Sequence, residues 1–253
     1  MAASMHQLVP AVIPAYACPE GTKMHILNLG TLTVDEGWLL NGANGGSASN
    51  PNPINKRRDL MLIAGLIYHP EMGLILFECG STEDVETKWG SEATDLFPRG
   101  LEHFRDTNIP IYVHEEEFKH ACWAAGTNSD GGLYLADYLK LDGTLNWQTF
   151  NDSQLELCTG LTLYHCPGHT PGLCIMQINL LVDGTFIWTT DQYHVRENFD
   201  ANWAHGWLLR DYRKWMDSGK FIRRLQKAFS AKLIFGHDYD VATELIDRKS
   251  YYE

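Results

Sequence analysis

Apolar positions recur along this chain in two rhythms. Short apolar or alternating runs, bounded by Gly, Pro and Asn, read as strands. They are Met24 to Gly30, Leu60 to Tyr68, Leu74 to Glu78, Pro110 to His114, Leu161 to His165, Leu173 to Val182, Thr185 to Thr190 and Lys232 to Phe235. His69-Pro70-Glu71-Met72-Gly73 is a turn between two of these runs, and Asp183-Gly184 between two more, so both pairs are hairpins. The second rhythm covers Leu209 to Phe229. There Tyr212, Trp215, Met216, Ile222, Leu225 and Phe229 fall near helical spacing and predict an amphipathic helix. Glu115 to Ala125 is a further helix, with an acidic first turn that the helix dipole favours. Gly42 to Pro53 is rich in Gly, Asn, Ser and Pro and reads as a loop. Hairpins toward both ends with helices between them, and no repeat or linker, predict one layered α/β domain over residues 1–253.

Composition narrows the function classes. Hydrophobic residues make up 44% of the 253 and charged residues 21%, enough to build a sizeable core. The formal net charge of -12 argues against nucleic acid and anionic membrane surfaces as partners. No apolar stretch reaches membrane-spanning length. Met1 to Pro14 is interrupted by His6 and Pro10 and lacks a basic start, so no signal peptide is read. The six cysteines are scattered without CxxC pairing, which predicts free thiols in a reducing, cytoplasmic compartment.

The chemistry is concentrated late in the chain. Pro167-Gly168-His169-Thr170-Pro171-Gly172 follows a strand, and its Pro and Gly residues hold the imidazole of His169 in a sharp loop. Asp191 ends another apolar run, where a carboxylate is costly unless paired or coordinated. His237, in Phe235-Gly236-His237-Asp238, ends a third, and Asp238 is placed to orient its ring. Each of the three is a good ligand for a borderline divalent metal, and each lies where a sheet edge presents it.

These residues resemble the metallo-β-lactamase superfamily, most nearly its lactone-hydrolysing branch, the N-acyl-homoserine lactonases and 4-pyridoxolactonase-like enzymes. The resemblance takes in the hairpin ending Phe77-Glu78-Cys79-Gly80, where the superfamily commonly has Asp-x-Gly. It also takes in the Pro-Gly-His-Thr-Pro-Gly loop, Asp191 with Glu197-Asn198-Phe199 after it, and Phe235-Gly236-His237-Asp238. It implies an αββα sandwich with a two-zinc site at one edge of the sheets. His169 would be a ligand of the first zinc, Asp191 would bridge the two, and His237 would be a ligand of the second. The lactonases carry a Tyr soon after the bridging Asp, which donates a hydrogen bond to the substrate. Aligning on Glu197-Asn198-Phe199 puts His194 there with Tyr193 beside it, and both stay open for that role. The implied activity is opening of a small-molecule lactone or related ester by a metal-bound hydroxide. Trp38, Trp203 and Trp207 are candidate walls of an apolar acyl pocket. Nothing in the sequence sets the oligomeric state, and a dimer is one option.

One departure is large. The superfamily's His-x-His-x-Asp-His motif occurs nowhere in the chain. Leu96-Phe97-Pro98-Arg99 looks like the stretch well before it, and Gly100-Leu101-Glu102-His103-Phe104 like the stretch after it. The junction between residues 99 and 100 therefore reads as a deletion of a few dozen residues, removing a helix and a central strand with the motif. The ligands left are spread over both halves of a two-zinc site and predict one metal or none. His103, His114 and His120 are not expected to substitute, and His165, on the strand two residues before Pro167, is kept only as an outside candidate. His6, His25, His69 and His205 carry no legible signal. Two rival readings follow: thioester or ester hydrolysis at the same site, and a catalytically impaired variant acting as a binding protein.

Overall fold

A computed structural model describes residues 16–80, 109–130, 134–139, 141–143 and 145–253. Three sheets occur among them. The first is an antiparallel meander of β1 (Lys23–Asp35), β2 (Arg57–His69) and β3 (Gly73–Phe77). The alternating runs predicted for β2 and β3 lie within a residue or a few of these bounds. β1 runs on past Gly30 because a bulge between Asn28 and Gly30 absorbs the break in alternation. A short helix, α1 (Glu36–Leu39), follows β1 and is capped by Asp35, whose carboxylate accepts from the Gly37 amide.

The second sheet has five strands in the order β10-β9-β8-β7-β6. Its members are β6 (Gln154–Cys158), β7 (Leu161–His165), β8 (Cys174–Leu180), β9 (Gly184–Trp188) and β10 (Lys232–Ile234). β6 to β9 pair antiparallel, and β10 joins β9 in parallel. β4 (Pro110–His114) and β5 (Asn146–Phe150) form a separate parallel pair. Helix α2 (Glu115–Thr127) follows β4, and a one-turn helix, α3 (Ala136–Leu139), lies near it. Later come α4 (Arg196–Asp200), α5 (Tyr212–Phe229), capped by Asp211, and α6 (Tyr239–Arg248), capped by Asp238. β5, β6 and α6 were not anticipated. The two strands are short and only half buried, so their alternation is faint.

The layers follow from alternation along the strands. Leu163 of β7, Met176 of β8 and Trp188 of β9 are cross-strand partners and share one face. That face meets the first sheet. A Cβ on Gly65 of β2 would lie 2.7 Å from the Trp188 ring, so glycine there lets the sheets close. Phe77 packs edge-on against the same ring at 6.0 Å. Tyr164, one residue along β7, points the other way and meets Phe221 of α5 at 5.2 Å. α6 packs on β1 and β2. The order α5, five-stranded sheet, three-stranded sheet, α6 is the expected αββα sandwich. The 99/100 junction, and the strand and helix expected to be missing there, lie outside the described residues.

Candidate metal centre

β7 and β9 run in the same direction because β8 between them is antiparallel to both, and β10 is parallel to β9. All three strands therefore end at one edge of the sheet. The loops after them carry His169, Asp191 and His237, and the sheet topology brings the three together. His237 Nε2 lies 2.8 Å from Asp191 Oδ1, and His169 Nε2 lies 3.3 Å from Asp191 Oδ2. A third imidazole joins them: His194 Nε2 is 3.6 Å from Asp191 Oδ1.

Each loop is held tightly. Gly168 has φ 147°, and a Cβ there would meet the Trp215 backbone at 2.4 Å. A Cβ on Gly172 would meet the Glu117 backbone at 2.2 Å. Glu117 of α2 accepts a hydrogen bond from the Gly172 amide at 2.9 Å and another from the Tyr134 hydroxyl. Thr190, a β-branched residue, sits at φ 47° just before Asp191, in a 3₁₀ turn over Thr190–Gln192. Such a conformation persists only where surrounding contacts impose it. Here Gln192 and Trp215 exchange two side-chain-to-backbone bonds, at 2.7 and 2.9 Å. The Gly236 amide donates to the Tyr193 carbonyl and the His237 amide to the His194 carbonyl, which ties the Asp191 turn to the β10 loop.

The electrostatics are those of one carboxylate among imidazoles. Desolvation would raise the Asp191 pKa, but His194, His237 and His169 hold it well below the usual carboxylate range. Burial would lower His237, yet the facing Asp191 carboxylate lifts it. Burial pushes His194 down to about 3. Glu78, at φ 66° just beyond β3, is pushed up to about 7, by desolvation first and the Asp191 carboxylate second. Glu78 keeps an exposed face, so water relieves part of that rise.

Two expectations about individual residues need correction. Tyr193 does not face the centre. Its ring packs against Phe199 and Trp215, and its hydroxyl lies beside Gln192, where a Cβ on Gly219 would be 2.8 Å away. Successive side chains on the extended segment after Gln192 point to opposite sides, so Tyr193 enters the core and His194 the centre. Asp238 does not orient His237 either. Its carboxylate caps α6 through the Val241 amide and accepts from the Arg196 amide. The His237 ring instead faces the Met61 carbonyl through Nδ1 at 3.2 Å.

His165 is engaged by the Pro167–Gly172 loop and by β4, its Nε2 2.8 Å from the Pro171 carbonyl and its ring stacked on His114 at 3.7 Å. His120 pairs with Asp130. His25 and His69 face backbone carbonyls. His103 and His6 lie outside the described residues. His205 is the residue that the pattern of the chain did not reveal. It is buried beside His194, with His205 Nε2 3.2 Å from His194 Nδ1. The only hint was its setting, Trp203-Ala204-His205-Gly206-Trp207, between two tryptophans already assigned to a pocket wall.

The donor set suits a divalent metal. Two groups of donor atoms lie within 4.8 Å of one another: His169 with His194 and His205, and Asp191 with His194 and His237. Metal–nitrogen bonds of 2.0–2.1 Å in a tetrahedron set ligand atoms about 3.3 Å apart. The separations above bracket that value. Cys18, Cys122, Cys158, Cys166 and Cys174 are free thiols. No helix among the described residues is long and apolar enough to cross a membrane.

No protein-family model matches the chain. An N-acyl homoserine lactonase, AiiB, of Agrobacterium fabrum is 22% identical over 268 residues, which take in 89% of this chain and 97% of that protein. A solved N-acyl homoserine lactone hydrolase, with the product N-hexanoyl-L-homoserine bound at its catalytic metal centre, superposes with a TM-score of 0.70. It is 19% identical and covers 91% of this chain and 96% of its own. AidC, a dizinc quorum-quenching lactonase, superposes with a TM-score of 0.57 at 14% identity, over 89% and 91% of the two chains. The chain thus has the metallo-β-lactamase fold and is similar in sequence to N-acyl homoserine lactonases.

Proposed function

We propose that this chain is a metal-dependent hydrolase that opens a lactone or a related ester. The observation that carries the reading is the Asp191 carboxylate faced by His169, His194 and His237. Likeness to lactonases along most of the chain supports it. Zinc is the metal we assign, on the nitrogen-rich donor set. His169, Asp191 and His237 would hold it. A bound divalent metal supplies Lewis acidity and acidifies a water.

The chain's own residues supply the rest. Asp191 keeps its negative charge across the working pH range and can receive cationic species at the sheet edge. His194, neutral at that pH, offers the centre either a lone pair or an N–H. Glu78, pushed up to about 7 beside Asp191, is suited to accept and return a proton near neutral pH. Trp38 and Trp207 are in ring contact at 5.1 Å, and the Trp203 indole donates to the Asn41 carbonyl. We assign these three rings to the wall that takes an acyl chain.

We read residues 1–253 as one domain that has lost a segment at the 99/100 junction. The alignment with AiiB supports this, since it spans 268 residues while taking in only 89% of a 253-residue chain. The free thiols support a reducing, cytoplasmic setting. The absence of His-x-His-x-Asp-His from the sequence favours a second reading, a binding protein with an impaired centre.

The test is a hydrolysis panel of N-acyl homoserine lactones, simple esters and thioesters. It is run on the zinc-supplemented chain, on chelated chain, and on a version with the missing segment restored. We expect chelator-sensitive opening of lactones. Preference for thioesters moves the reading to that class. Activity only in the restored version supports the binding protein.

A further inference from the structure

We propose that His205 is a metal ligand, and that His169, His194 and His205 together form a three-histidine site in place of the histidine pair the sequence lacks. The proposal rests on the reading that this centre takes a divalent metal.

The three rings meet at one place. Ring centroids lie 5.0 Å apart for His169 and His194, 4.3 Å for His194 and His205, and 5.8 Å for His169 and His205, with interplanar angles of 71°, 81° and 72°. Edge-on contact is common among the aromatic rings of this fold, so the angles alone assign nothing. What sets this trio apart is that three imidazoles meet, where His114 and His165 are a stacked pair at 3.7 Å. Each of the three offers a nitrogen to one small region. The 3.2 Å between His194 Nδ1 and His205 Nε2 is close to the separation of about 3.3 Å between two ligands of one tetrahedral metal.

His205 is 2% exposed, and among the described residues its Nε2 meets only His194 Nδ1, a second ring nitrogen that cannot share more than one proton with it. His25, His69, His120 and His165 each face a carbonyl or carboxylate instead. An unpaired nitrogen alone is no sign of a ligand, since His114 Nε2 is unpaired beside His165 as well.

The loop that carries His205 is held in place before any metal arrives. The backbone clamps His205 on both sides: the Asn41 amide donates to the Ala204 carbonyl at 2.8 Å, and the Gly206 amide donates to the Trp38 carbonyl at 2.9 Å. A Cβ on Gly206 would lie 2.0 Å from the Gly37 carbonyl oxygen, so only glycine lets the loop come this close. His194 is fixed in turn by its carbonyl, which accepts from the His237 amide at 2.9 Å. Three imidazoles with an open fourth position are a recognised zinc donor set. In this arrangement His194 gives the centre its lone pair and acts as a ligand.

The test uses the full chain. Zinc content is measured after dialysis, affinity by chelator competition, and the donor shell by X-ray absorption on the zinc form. Three or more imidazoles per zinc in the parent and one fewer in H205Q support the proposal; two or fewer in the parent, or an unchanged count in H205Q, overturn it. H205Q is expected to weaken zinc binding by about 100-fold or more, and to alter the visible spectrum of the cobalt form. An H205Q variant that is folded by circular dichroism and binds zinc like the parent overturns it. If H205Q does not fold, the zinc-loaded H237Q variant decides: three imidazoles per zinc support the proposal and two overturn it. Zinc lost on D191N or H237Q but unaffected by H205Q sinks this inference and leaves the proposed function standing. Three imidazoles on zinc without lactone or ester hydrolysis does the reverse. A parent chain that takes up no zinc overturns both.

Discussion

At the residue scale, the pair Tyr193 and His194 separates packing from chemistry most cleanly. Neighbours in sequence, they point in opposite directions, one into the aromatic cluster under α5 and the other toward Asp191. Y193F removes a buried hydroxyl that faces Gln192 and Gly219 and not the centre. We expect it to change the unfolding free energy by less than about 1 kcal/mol, and hydrolysis by less than about twofold, as measured by urea titration and initial rates. H194Q should lower kcat/KM by about 100-fold or more while the fold persists. Equal effects of the two variants would contradict this division. Asp191 was legible because an acid at the end of a buried run needs a reason. His205 was not, because its segment has neither periodicity nor a motif, and only the contacts with α1 bring it to the centre.

At the element scale, the Pro167–Gly172 loop depends on α2 beneath it. Glu117 holds the Gly172 amide, and there is no room for a side chain at residue 172. G172A should therefore cost about 2–3 kcal/mol in a urea melt and reduce activity further by displacing His169. The same junction carries a pH dependence. Burial lowers the pKa of both His114 and His165, and the facing His165 lowers His114 further. The folded state thus prefers both rings neutral, while the unfolded chain takes up protons near the ordinary value of about 6.5. This contribution to stability is complete above that pH and is lost as the pH falls below it. Urea midpoints compared at about pH 8 and about pH 5.5 should show the acid loss, and H165N should shrink it. A midpoint that rises on acidification would contradict the sign.

At the scale of the whole molecule, the sandwich is closed by contacts that a metal reinforces. The centre joins loops from β7, β9 and β10 of one sheet, and His237 also faces the Met61 carbonyl of the other. A metal bound there links both sheets, so it stabilises the folded state alone. At a zinc concentration one hundred times Kd, mass action predicts about 2.7 kcal/mol of added stability. The thermal midpoint should rise with zinc and fall on chelation. An unchanged midpoint would mean that no metal is held by the folded chain.

Much of this molecule was written locally. The strands ending at His165 and Ile234 were legible from alternation, α5 from helical spacing, and the Pro-Gly-His loop from turn chemistry. Their order along the chain already carried His169, Asp191 and His237 as a set. What local pattern cannot encode is which strand ends share an edge, because that depends on the pairing of β7, β8, β9 and β10. Nor can it tell the inward from the outward member of a pair such as Tyr193 and His194 when neither run alternates. His205 belongs to the same class. It reaches the centre through two backbone hydrogen bonds to residues more than 150 positions away, and only the folded chain brings those partners together.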